Sequence, residues 1–244
     1  MEVAEKVPPA PPPKPLVQPD PVVPPKDDGD IAKFAQGVKN LAREMRCAAV
    51  HATVQNGRLS LAGFVGDARD LEILRGAMPQ GDRGRLDVQL RPWPQCEALL
   101  NLARPLASNA GLEVLASATT LKEGESLGIR VRTPDFPSFL YVSYLQADGK
   151  VVHLRRYADQ GGKAFPASSL VVLGERGQYK VTGPVFGDES LVVIASALPL
   201  LALDRPQAET EREYLTGFRL AILDRQRSSG EVAASFTPLK TLAK

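Results

Sequence analysis

The sequence is short of most residues that chemistry needs. It has two cysteines, two histidines and one tryptophan in 244 residues. His51 and His153 lie far apart in the chain, and one histidine pair does not complete a zinc site. Both therefore read as solvent-facing or internally bonded side chains, and no metal is expected. No CxxC motif marks redox or zinc chemistry. Cys47 and His51 sit four apart in what reads as a strand, about 13 Å at strand rise, too far for a nucleophile and its base. There is no glycine-rich phosphate loop and no serine nucleophile elbow, so no cofactor is expected and the chain reads as non-enzymatic. The net charge is only +2, without the basic stripe and matched aromatics of a nucleic-acid binder. No apolar run approaches the ~20 residues that span a bilayer. Residues 1–30 also lack the charged start and apolar core of a signal peptide.

What is abundant is proline at one end. Ten of the 21 prolines lie between Pro8 and Pro25. A segment with no aromatics and few large apolar groups does not pack, and prolines favour the extended polyproline II form. Residues 1–27 read as a tether reaching up to ~80 Å when extended. The remainder is long enough for two small domains. A Pro-rich start favours a soluble piece of a longer, membrane-anchored protein over a cytosolic one.

Residues 28–93 read as a small α+β unit. Asp28 to Asp30 supply a helix start, and Ile31, Phe34, Val38, Leu41 and Met45 follow at helical steps. Val50, Ala52 and Val54 alternate, Asn56-Gly57 turns the chain, and Leu59 and Leu61 alternate again, a hairpin pattern. A second helix has Leu71, Ile73, Leu74 and Met78 on its apolar side. A last strand turns Leu86, Val88 and Leu90 one way. The order helix, strand, strand, helix, strand, with the run NGRLSLAGFV, resembles the BON domain of bacterial envelope proteins. That resemblance implies a periplasmic α+β module that binds lipid surfaces or other proteins, with no catalytic residue to transfer. The short segment MPQGDRGR between second helix and last strand departs from the family.

Residues 94–109 read as a connecting helix, with Trp93 as a structural plug between the domains. Cys47 and Cys96 flank the first unit. Two readings stand: buried free thiols, which are common in cores, or a disulfide closing a loop of about 50 residues, worth ~3–4 kcal/mol.

Residues 110–244 contain seven short apolar runs, LEVLASAT, SLGIRVRT, SFLYVSYLQ, KVVHLRRY, SLVVLG, YKVTG and SLVVIAS, separated by Gly, Pro and Asp breaks. They predict an antiparallel sandwich. Asp148-Gly149 is a hairpin turn between strands apolar on both faces, which places them centrally. The signature PSFLYVSYLQADGKVVHL…YKVTGPVFGDESLVVIASALPL resembles a bacterial domain of unknown function. That domain is found behind caspase-like or serine/threonine-kinase modules and in envelope and secretion-associated proteins. The resemblance implies a β-sandwich accessory or sensing domain. A helix with Tyr214, Leu215, Phe218 and Ile222 on one side packs along a sheet face, and EVAASFTPL adds a closing strand.

The fold expectation is α+β: a BON-like αββαβ domain followed by an antiparallel β-sandwich with a packed C-terminal helix. Glu123, Glu125, Asp188 and Glu189 read as solvated charge on turns. Arg155, Arg156, Tyr157 and Lys163 form the one basic cluster, a candidate surface for a protein or an anionic envelope polymer. The leading reading is the extracytoplasmic docking or sensing region of a membrane-anchored, receptor-like kinase. A structural part of an envelope or secretion machine is the first alternative, and a cytosolic enzyme with an unrecognised site is the second.

Overall fold

The computed structural model describes residues 28–79, 81–108, 110–200, 205–227 and 231–244. The Pro-rich segment at 1–27 lies outside the described residues, and so does the expected tether. The first unit has the predicted order: α1 (Asp28–Glu44), β1 (Ala48–Gln55), β2 (Arg58–Val65), α2 (Ala68–Ala77) and β3 (Gly84–Leu90). Its sheet runs β1-β2-β3, with β1 antiparallel and β3 parallel to β2. The hairpin turns on Asn56 and Gly57, both at positive φ (50° and 68°), the geometry that Asn-Gly tolerates. The Asp67 carboxylate accepts from Arg69 N at 2.7 Å and caps α2. The α1 stripe buries Ile31, Phe34, Val38 and Leu41 against Leu59, Leu61, Val65 and Leu74, and these form one apolar cluster.

Gly63 explains its place in the NGRLSLAGFV run. Its φ is +135°, and a side-chain carbon there would lie 1.9 Å from the Ala49 carbonyl oxygen. Only a residue without Cβ lets β2 pass β1 this closely.

The second unit comprises α3 (Gln95–Ser108), β4 (Glu113–Ala116), β5 (Thr120–Lys122), β6 (Ile129–Arg132), β7 (Phe139–Leu145), β8 (Lys150–Arg155), β9 (Leu170–Leu173), β10 (Asp188–Ser196), β11 (Ala208–Thr210), α4 (Glu211–Arg227) and β12 (Val232–Leu242). A six-stranded sheet, β11-β8-β7-β10-β12-β5, faces a three-stranded sheet, β4-β6-β9. Leu140, Val142, Leu191 and Val193 point between the sheets and meet Ile129, Val131 and Val171. Tyr141, Leu145, Val192 and Ile194 point the other way, onto Leu102 of α3 and Tyr214, Phe218 and Ile222 of α4. The period-2 alternation thus buries both faces of β7 and β10, as their composition predicts.

Three elements differ from the expectation. The sandwich is not wholly antiparallel, since β5 pairs with β12 in parallel. YKVTG forms no named strand. Tyr179 and Val181 exchange backbone hydrogen bonds with Leu127 and Glu125 in the loop before β6, and Gly183-Pro184 cuts the segment short. The helix read as a connection is part of a core: Ala98 and Leu102 of α3 are buried in the same cluster as α4.

Gly63→Ala is expected to lower the urea midpoint by an amount equivalent to ~2 kcal/mol or more, through strain and clash. Gly37→Ala, on α1 with nothing within 4 Å of the new carbon, is expected to stabilise by ~0.5–1 kcal/mol. Equal effects at the two positions would refute the close-approach explanation.

Candidate functional site

The basic cluster predicted at the β8 end is held by internal contacts. The Arg155 guanidinium lies over the Phe165 ring, 5.3 Å from its centroid. Arg156 donates to the Arg205 carbonyl at 3.1 Å and to Asp159 at 3.3 Å. The Tyr157 ring packs against Phe139, with centroids 5.4 Å apart. The Gln160 side chain pins the loop by bonding both backbone groups of Leu140, at 3.0 and 2.8 Å. Of the four residues Lys163 alone is exposed, and the other three are half-buried against these partners.

The chemistry-bearing residues that do converge are buried. Ser143 on β7 and His153 on β8 face α4, with Ser143 Oγ 3.1 Å from His153 Nδ1. Glu209 on β11 meets His153 Nε2 at 2.6 Å. Arg205 clamps Glu209 through Nε, at 2.9 Å, and through Nη2. The Tyr214 ring lies 5.7 Å from the imidazole, centroid to centroid. Serine, histidine and carboxylate in sequence resemble a catalytic relay. However, Ser143 is 0% exposed and His153 3%, and the hydroxyl sits mid-strand between β8 and β10. A substrate has no approach to it. The relay instead bonds β11, and through it the start of α4, to the sheet. Burial, with the Arg205 and Arg156 charges, lowers the His153 pKa to about 4. The Glu209 carboxylate would favour imidazolium, but it is already matched by Arg205, so the ring stays neutral. His51, by contrast, is exposed on β1.

Sequence reasoning placed Glu189 on a solvated turn. It is in fact 2% exposed at the start of β10. Its carboxylate accepts from the Tyr144 hydroxyl and from Ala147 N, and its carbonyl accepts from Gln95 Nε2 of α3 at 2.6 Å. Burial pushes the Glu189 carboxyl up and the hydrogen bonds pull it back, the net direction being upward. Burial and the adjacent Glu189 push the Tyr144 phenol up. A carboxylate is retained here because donors from β7 and its turn surround it.

The two units meet at residues 91–96. Cys47 and Cys96 form a disulfide, with Cα atoms 6.2 Å apart, inside the usual range. Both are buried, and a Cβ on Gly66 would stand only 3.2 Å from each of Cys47 Cβ and Cys96 Sγ. Arg91 N bonds Val65 O at 2.8 Å. The Trp93 ring edge rests on the Asp148-Gly149 turn, where a Cβ on Gly149 would come within 2.0 Å of it. Glu211 accepts from the Trp93 side chain, and Glu211 N bonds Gly149 O at 2.8 Å. Trp93 is not the expected plug between the units: it is 48% exposed, and its ring lies along the sandwich hairpin turn and the start of α4. The disulfide points to an oxidising, extracytoplasmic environment, and no described helix is long and apolar enough to cross a membrane.

Because His153 takes up its proton less readily folded than unfolded, stability is expected to fall as pH drops from 6.5 towards about 4. The loss is up to about 3 kcal/mol. Glu189 acts with the opposite sign above pH 4.5, so the check is a difference. Urea midpoints of the wild type and His153→Gln, followed from pH 7 to 4, should converge on acidification. Parallel curves would count against a buried neutral imidazole.

Comparison of the chain with family models, with curated proteins and with solved structures gives no match.

Proposed function

We propose that this chain is a non-enzymatic docking or sensing region working outside the cytoplasm, on a bacterial protein anchored upstream through the Pro-rich segment. The Cys47–Cys96 disulfide is the main support. It joins the BON-like unit to a core helix of the sandwich, and such bonds persist where the compartment is oxidising. The burial of Ser143, His153 and Glu209 adds to this reading, since residue types suited to catalysis are spent on holding β11 in place. The outer half of a receptor-like kinase has this form: a reach from the membrane, then binding modules with a fixed mutual orientation. A structural part of an envelope or secretion machine would use the same modules to bind neighbouring proteins.

The experiment is a thiol titration of denatured, unreduced protein taken from its own cell. No reactive thiol is expected before reduction, and two after it. Two free thiols at the outset would place the chain in a reducing compartment and overturn the extracytoplasmic reading.

A further inference from the structure

The outer face of the small sheet is out of character with the rest of the surface. The register aligns two rows across it: Glu113, Arg132, Leu170 and Leu115, Arg130, Val172. The inward residues of the same strands, Ile129, Val131, Val171 and Leu173, fill the core between the sheets, so these six point outward. Leu115 is 67% exposed and Leu170 66%, the two most exposed large apolar side chains among the described residues. They stand on opposite sides of the central strand β6, whose outward residues are both arginines. Single exposed leucines are ordinary, but two on one face with arginines between them are the makings of a binding surface.

We infer that this face docks a short acidic segment of another protein, one that alternates carboxylates with large apolar side chains. Charge selects the acidic partner. Arg130 and Arg132 stand in the middle of each row, and Glu113 offsets only one of them, through an exposed contact at 3.4 Å. An exposed pair of this kind is worth little, so Arg132 exchanges it readily for an incoming carboxylate, which a guanidinium can grip through two parallel hydrogen bonds. Area selects a short segment. Three strands of four residues cover roughly 200 Å² at normal strand spacing, well under the ~800 Å² per partner of a stable protein pair. A second copy is further disfavoured because the face would set its own arginines against their equivalents. Leucines on either side of β6 give the segment apolar seats, and the arginines fix its register.

The full disulfide-bonded chain is tested by fluorescence anisotropy with three synthetic peptides of equal length, alternating Leu/Glu, Leu/Lys and Ser/Glu. The Leu/Glu peptide should bind best and weaken as salt is raised. Arg130→Glu with Arg132→Glu should weaken it at least roughly tenfold and gain the Leu/Lys peptide, a gain that a misfolded variant could not show. Leu115→Ser with Leu170→Ser should weaken Leu/Glu binding without moving the thermal midpoint. The face is overturned by absence of Leu/Glu binding up to about 1 mM, by equal binding of Leu/Lys, or by binding indifferent to both double variants. It is also overturned by a wild-type dimer that the leucine variant abolishes. The face rests on the docking reading above. Loss of peptide binding with the disulfide intact removes the face and leaves that reading standing.

Discussion

The segment from Arg91 to Cys96 sets the relation between everything before it and everything after it. The first unit and the sandwich have separate apolar clusters, and no buried side chain is shared between them. Hydrophobic burial alone would leave two bodies on a swivel. What removes the swivel is a set of directional contacts within six residues: Arg91 to β2, Trp93 on the β7–β8 turn, Gln95 to β10 and Cys96 to Cys47. Each reaches a different element. The two cores therefore turn together, and a surface on one has a fixed bearing to a surface on the other.

Inside the second unit the six-stranded sheet is the common wall of two cores. A wall buried on both sides has no wet face for polar groups, so a titratable side chain on it needs partners. Two such clusters are present, each bound to an element arriving from elsewhere in the chain, whereas the small hydroxyls of Ser190 and Ser196 on β10 are buried without a partner. Ser143 and His153 receive Glu209 and Arg205 from the segment before α4. Tyr144 and Glu189 share their site with Gln95 of α3. The polar sites lock the two covering helices in register, whereas apolar packing would tolerate sliding. The same tight cover closes the serine–histidine–carboxylate relay to any substrate.

Much of this was written locally. The Asn56-Gly57 turn, the α1 stripe, and the two-sided apolar alternation of β7 and β10 need only their own neighbours, and periodicity reports them. Ser143 and His153 also left a local trace, as polar interruptions on apolar strand faces. Their partners did not. Glu209 reaches His153 only because a long connection returns β11 to the edge beside β8, and nothing in QAETERE announces that pairing. Glu189 was misread because a carboxylate beside a turn is usually wet; its burial depends on Gln95 and on Tyr144, 94 and 45 residues away. YKVTG had strand composition but met a loop, not a free edge. The outward rows of the small sheet became legible only once the register of β4, β6 and β9 was known.

The disulfide has a mechanical consequence as well as a structural one. A pull on the chain ahead of α1 travels along that helix to Cys47. There it can cross directly to Cys96 and into α3, which is anchored in the sandwich core. The strands and helix between the two cysteines lie on a covalent bypass and bear none of the tension. A load entering at α1 therefore passes to the sandwich while the β1-β2-β3 sheet stays slack, keeping its shape where tension would otherwise peel β1 from β2.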